Sequence, residues 1–404
     1  MTSLLVISCP ASAALEDSYT TVDKDARKSD LHSLVLTLRR LETAHALSKE
    51  LAEAVDHMDS DADLLGTRAR LLSFLPDISR QTFIRERRNS LQPIRPAKEA
   101  PTTSSTTNSF SQILWLDPNT TYKPETELWL QTWNDSSEQD GVSGFNDFTA
   151  DSRGLSIGLD RELTDKWLLG LSVGTDDSEI DSKAFGKDDI DTNRVGVGLS
   201  YASGRHSVSF SWQRDQAETD RVRILLLPTA KGIKRIRLLS EFDNTRDSSS
   251  IGYSTFFEPT HSSSISPFIR AAYGRVRTDD YNERGDSSLG LAVATDDQTQ
   301  LLGTLGVTFS WFHFSESWSF APSITVAVEH DFRSDFTTTL SRFTDTSDTF
   351  RTRGYELTET RWRASAAMTA FYRNRAYISL SYEADDKDDY HHDGVILALT
   401  VRVD

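Results

Sequence analysis

Between Arg153 and Gln213 the chain alternates, residue by residue, between large apolar side chains and glycine, serine or other small or polar ones. Leu155, Ile157 and Leu159 interleave with Gly154, Ser156, Gly158 and Asp160. Trp167, Leu169, Leu171 and Val173 interleave with Leu168, Gly170, Ser172 and Gly174. Val195, Val197, Leu199 and Tyr201 interleave with Gly196, Gly198 and Ser200, and Val208, Phe210 and Trp212 with Ser207, Ser209 and Ser211. A period of two is the period of a β-strand, so each set occupies its own sheet face. A soluble sandwich would carry long charged side chains on its outer face. A glycine and serine face instead suits the crowded, wet, concave interior of a barrel. The apolar face then looks at lipid, with Trp167, Tyr201 and Trp212 near strand ends, where aromatic girdles sit.

The bulk properties agree with this class. A chain of 404 residues accommodates one large barrel with a small appendage. Its mean hydropathy of -0.45 is compatible with a membrane barrel, because only every second strand residue meets lipid. No apolar run reaches the ~18 residues of a helical span. A net charge of -17 argues against nucleic-acid binding. The single cysteine, Cys9, lies in the expected leader and leaves a mature chain without disulfides, consistent with export.

The N-terminal third reads differently. Residues 1–13 form a short signal peptide, with Leu4 to Ile7 as its apolar region and Ala11-Ser12-Ala13 as the cleavage site. Residues 14–91 are expected to be helical. Asp30 caps a stripe of Leu31, Leu34, Leu38, Leu41, Leu47, Leu51, Val55 and Met58 at helical spacing. The stripe suits either a small self-contained bundle or a partner-binding segment. Residues 92–126 form a linker with a possible lumen segment, where Pro93, Pro96 and Pro101 precede Thr102 to Thr107.

Residues 127–404 form the β domain. About twelve strands are expected, at about 127–134, 152–162, 165–175, 191–202, 205–215, 246–257, 264–277, 298–311, 317–331, 359–373, 375–385 and 393–403. The connections alternate between short turns and long loops at 135–151, 176–190, 216–245, 278–297, 332–358 and 386–392. That alternation belongs to an up-and-down antiparallel transmembrane β-barrel, with turns in the periplasm and loops outside. An even strand count places both ends of the barrel on the periplasmic side. The last strand, Gly394 to Val403, alternates to its end and is placed to close the barrel against the first.

Several stretches resemble the autotransporter β-domain, the translocator of type V secretion. They are Gly154 to Asp160 followed by Trp167 to Gly170; Ser266-Pro267-Phe268-Ile269-Arg270 with Tyr273 and Glu283; and Leu305-Gly306, Ala321-Pro322 and Glu329-His330-Asp331-Phe332. The resemblance implies a monomeric barrel in the Gram-negative cell outer membrane, inserted by the barrel-assembly machinery and surrounded by lipid and lipopolysaccharide. It implies a non-enzymatic function, anchoring or exporting the short helical N-terminal segment. The alternative is a non-secretory, porin-like or structural barrel whose helices stay in the periplasm. In the family a helix before the first strand threads the lumen, and Ile113 to Asn119 holds the matching position. Two features depart from the pattern: the chain ends Val403-Asp404 rather than in an aromatic residue, and helices stand where the family usually has a long β-helix.

Three constellations invite chemistry. Gly285-Asp286-Ser287-Ser288-Leu289 resembles a lipolytic nucleophile motif, but no Asp-x-x-His partner is placed to activate Ser287 or Ser288. Asp385 to Asp393, with His391 and His392, is either a cation site or a solvated charged loop. Arg221 to Leu239, with Arg223, Lys231, Lys234, Arg235 and Arg237, is either a basic hairpin contacting lipid phosphates or a pair of strand extensions joined at Pro228 to Gly232, which would bring the count to fourteen on entering the membrane. No catalytic, cofactor-binding or metal-ligating residue and no cofactor is assigned.

Overall fold

The computed structural model describes residues 126–403 except 141–146, 183–184, 230–231, 261, 286–288, 316, 334–337, 345, 355–358, 373–374 and 388–389. The expected leader, helical region and nearly all of the linker lie outside the described residues.

Twelve strands form one closed antiparallel sheet: β1 Thr126–Gln139, β2 Phe148–Glu162, β3 Trp167–Ser182, β4 Gly186–Ser203, β5 His206–Thr229, β6 Gly232–Thr255, β7 Ser263–Thr278, β8 Gln298–Trp311, β9 Trp318–Asp331, β10 Thr360–Tyr372, β11 Ala376–Lys387 and β12 Tyr390–Val403. Each pairs with its neighbours in sequence. The ring shuts where β1 meets β12, in continuous register from Thr126↔Val403 to Gln139↔Tyr390. The end holding Thr126 and Val403 is here called proximal and the other distal. The proximal turn after β4 is as short as expected, and Gly204 supplies the left-handed φ of 59° that turn requires.

The two faces divide as the alternation demands. Leu155, Ile157, Leu171, Val173, Ile251 and Leu305 look outward, each about half exposed or more in the isolated chain. Leu169 and Val197 share that face, half-buried, and Phe210 is exposed on it. Trp167 and Tyr201 pair near the proximal strand ends at 4.9 Å between ring centroids, as do Trp318 and Tyr372 at 5.0 Å. Trp212 lies within β5 rather than at its end, just before the outward face turns polar at Arg214. Most inward residues are small or polar, with larger apolar ones such as Trp129, Trp133, Leu168 and Phe268 among them, and Ser156 and Ser200 are essentially inaccessible.

The distal ends correct the expected loops. Four of the six expected long loops, 135–151, 176–190, 216–245 and 386–392, are mostly strand, the first because β1 runs on to Gln139 and β2 starts back at Phe148. β3 and β4 run on to Ser182 and back from Gly186, β5 and β6 to Thr229 and back from Gly232, and β11 and β12 to Lys387 and back from Tyr390. Arg221 to Leu239 is accordingly a strand extension, and the count stays at twelve. The physical reason is a phase inversion. Beyond the lipid-facing run, acidic side chains point out while apolar ones turn inward, as at Ile180, Ile190 and Phe148. The strand period continues, but the apolar set changes face. These inward residues, with Ala150, Val276 and Tyr390, form an apolar cluster inside the distal bore.

A lipid-facing cation near mid-strand costs about 2–4 kcal/mol, whereas a bore-facing one stays hydrated. Leu171→Arg is therefore expected to lower the urea midpoint of the folded band seen on unheated gels far more than Ser172→Lys on the neighbouring, inward-facing position. Equal loss in both variants would contradict the assigned faces.

Candidate functional site

The bore is the feature every strand contributes to, and its wall is built by register. Trp129 lies opposite Gly158 and Trp133 opposite Gly154, so each indole lies flat over a glycine of the next strand. Phe268 covers Gly306 in the same way. A Cβ on any of these glycines would clash with the ring. Glycine here makes room for an aromatic side chain in the bore without spreading the strands. Around mid-barrel the wall is half-buried and small, with Ser172, Ser250, Ala272, Thr308, Ser365 and Ser379 facing inward.

Charges are paired on the bore wall. Arg194 of β4 binds Asp176 of β3, lies 4.0 Å from Asp215 and stacks 4.9 Å from the Trp133 ring. Opposite, Glu329 of β9 accepts from Arg361 at 2.6 Å, from Arg363 at 3.3 Å and from the Thr304 hydroxyl at 2.9 Å, while Arg363 also reaches Asp385 at 3.0 Å. Arg402 meets Glu127 at 3.4 Å across the closing seam. Removing one member of such a buried pair strands the other, so these networks fix strand register more than they add net stability.

The distal end carries a folded cap. The long connections β7–β8 and β9–β10 contribute a separate four-stranded sheet of Tyr281–Asn282, Leu291–Thr295, Thr338–Phe343 and Thr349–Arg353. Arg284–Gly285 pairs with Leu238–Leu239 on the projecting β5–β6 hairpin. Leu289, Leu291, Val293, Phe343 and Phe350 are buried in it, as are Leu225 and Leu238 of the hairpin. The tie is ionic and aromatic. Arg223 donates to both oxygens of Glu283 at 2.6 and 2.5 Å, and Arg221 donates to Asp188 at 2.6 Å and to the Tyr281 hydroxyl at 3.2 Å. Tyr281 stacks on Phe242 at 4.4 Å. Burial pushes the Tyr281 phenol above its ordinary range, against the opposing pull of Arg221. Arg221, Arg223 and Phe242 share the parity of the bore-facing residues below them, so the cap leans on the bore side of the hairpin.

The outward face of the same extensions is an acidic ledge. Asp151, Glu179, Asp189, Asp220 and Glu241 lie side by side across β2 to β6. Asp177, Asp191, Glu218 and Asp243 form the next row toward the lipid-facing run. Lys187 bridges Glu179 and Asp189 at 2.9 and 3.0 Å. Repulsion and hydrogen bonding from Glu241 raise the Glu218 carboxyl above its ordinary range. Desolvation and Asp177 do the same for Asp191.

The constellations read from the sequence are now placed. Gly285 is in the short strand beside Leu238, and Leu289 is buried in the cap; Asp286, Ser287 and Ser288 lie outside the described residues. The Asp385 to Asp393 run is divided between faces: Asp385 points into the bore toward Arg363, Asp386 points out and meets His391 at 2.5 Å, and His392 contacts Ser137 at 3.0 Å. Among the described residues no three His, Cys, Asp or Glu are grouped to hold a metal ion. The aromatic–glycine pairs, the bore ion pairs and the cap were not read from the sequence. Only the register, which sequence alternation leaves open, brings them together.

Comparison with known proteins gives a consistent result. Residues 128–383 match the family model described as autotransporter beta-domain. Similar solved structures include the translocator domain of the autotransporter NalP from Neisseria meningitidis, with 12% identity, a TM-score of 0.55, and 69% of this chain and 88% of that one covered. The β domain of the Bordetella autotransporter BrkA is similar with 15% identity, a TM-score of 0.50, and 69% and 99% covered. A search of curated protein sequences returns no match.

Two outcomes follow from this geometry. Glu283→Gln removes the buried carboxylate that Arg223 donates to twice, at a cost of about 3–5 kcal/mol borne by the cap. Limited proteolysis is expected to cut within 279–297 faster while the folded gel band persists. On the ledge, raised carboxyl pKa values mean that the folded state holds protons the unfolded chain has lost. Stability from these groups is full at low pH and is lost as pH rises through the raised values. Glu218→Gln should therefore raise the urea midpoint at pH 7, with the gain vanishing below the carboxylate range and in high salt.

Proposed function

The chain belongs to the autotransporter β-domain family, and from that premise we propose that it holds its own N-terminal residues at the Gram-negative outer membrane, anchoring or exporting them through type V secretion. The observation that carries this reading is the pairing of Thr126 with Val403 at the proximal end. Everything upstream of residue 126 joins the barrel there. With the proximal end in the periplasm, those residues reach the surface only by way of the bore. Residues 14–91 are the segment so held, and residues 92–126 the linker leading to it.

In this arrangement the barrel performs no covalent step. Its outward belt dissolves in lipid, its closed backbone leaves no unpaired edge in hydrocarbon, and it works as a monomer inserted by the barrel-assembly machinery. The acidic ledge then stands just outside the lipid-facing run, where divalent cations would link it to lipopolysaccharide phosphates. A second reading, with the N-terminal helices retained in the periplasm and the barrel serving as a non-secretory structural element, is favoured by the apolar packing of Phe148, Ile180 and Val276 within the distal bore.

Protease treatment of intact cells separates the two readings. An epitope placed within residues 14–91 is expected to be shaved from outside, while one following Asp404 survives until the outer membrane is permeabilised. Protection of the 14–91 epitope in intact cells, with cleavage after permeabilisation, would replace export by the periplasmic reading.

A further inference from the structure

The distal apolar cluster has a geometry that ordinary sheet packing does not produce. Phe148, Ile180, Ile190 and Ala217 come from β2 to β5, and Tyr390 from β12. Val276 comes from β7, where its sheet partners are Arg246 and Gln298, neither in the cluster. Val276 therefore meets the cluster only by reaching across the bore. Phe148, Ile180, Ile190, Val276 and Tyr390 are each at most 5% exposed. Closer to mid-barrel the bore-facing Ser172, Ser250 and Ser365 are only half-buried. These mid-barrel positions are thus more accessible than the distal cluster.

We propose that this cluster is a hydrophobic seal that makes the barrel non-conducting, so that ions and small polar solutes do not cross although the mid-bore is hydrated. An apolar constriction excludes ions because stripping their hydration shell finds no polar replacement. The cap stands on the bore side of the hairpin beyond the seal, and its buried ties at Arg223–Glu283 and Arg221–Tyr281 hold it there. Passage of a polypeptide requires the seal side chains to part. The inference rests on the barrel spanning a membrane and is independent of which end faces outward and of whether residues 14–91 are exported.

The test is conductance of the full chain in planar lipid bilayers, which does not depend on orientation. The unaltered protein is expected to stay at baseline. Val276→Ser and, separately, Phe148→Ser are expected to raise mean conductance by about tenfold or more, since either replaces part of the apolar cluster with a hydratable group. Val395→Ser, on the lipid-facing side, is the control expected to stay at baseline. Each variant is first shown to retain the folded band on unheated gels, and the two seal positions serve as alternates should one fail to fold. Steady open conductance in the unaltered protein would overturn the proposal. So would folded seal variants that remain as silent as the control, because the barrier would then lie elsewhere in the bore.

Discussion

A peptide N–H or C=O left unpaired in hydrocarbon costs several kcal/mol, and every large feature of this molecule answers to that constraint. It requires the sheet to have no edge, which is why β1 and β12 meet in full register although they lie at opposite ends of the β domain. Once the sheet is a ring, alternate residues must serve two unlike environments, lipid outside and a narrow bore within. The glycine and serine face follows from the second of these. Inside a twelve-stranded ring there is room for a few indoles, and only where the facing strand offers a glycine, as Gly158 does to Trp129.

The lipid-spanning half of each strand was legible because its two environments impose opposite residue types at period two. Leu171 and Val173 against Ser172 and Gly174 leave little choice of face. The distal extensions were read as loops because the same period carries a reversed polarity there. In β3 the apolar positions shift from 171 and 173 to 180, and the outward positions become Asp177, Glu179 and Asp181. Richness in aspartate marks a loop in most contexts, but here it marks a strand whose outer face has left the membrane. A change of phase within an unbroken alternation is thus the sequence sign of a strand crossing from lipid to water.

The bore charges and the cap were illegible for a different reason. Arg223 and Glu283 lie in elements read as loops, and nothing in either stretch names the other as partner. Arg194 and Asp176 sit on adjacent strands, but their pairing depends on a register that the extended β3–β4 hairpin alone fixes. Period two gives the face of a residue and is silent on its neighbour across the sheet. The family resemblance supplied the ring and its order, but not what this particular ring encloses.

Charge placement also sets how deep the barrel sits. Transfer of an ionised side chain into hydrocarbon is unfavourable at any position, so the two carboxylate rows across β2 to β6 resist displacement of the barrel toward the proximal side. At the opposite end, Trp167 and Trp318 with their tyrosine partners prefer the interface over either phase. The lipid-facing run is bounded between these, and the strands beyond the ledge are committed to water. Freed from lipid on the outside, they can turn apolar residues inward and pack them against one another. That is the physical reason the apolar residues face outward where the wall is wrapped in membrane and inward where it is not: each stretch of strand has one apolar set, and the outer environment decides which face receives it.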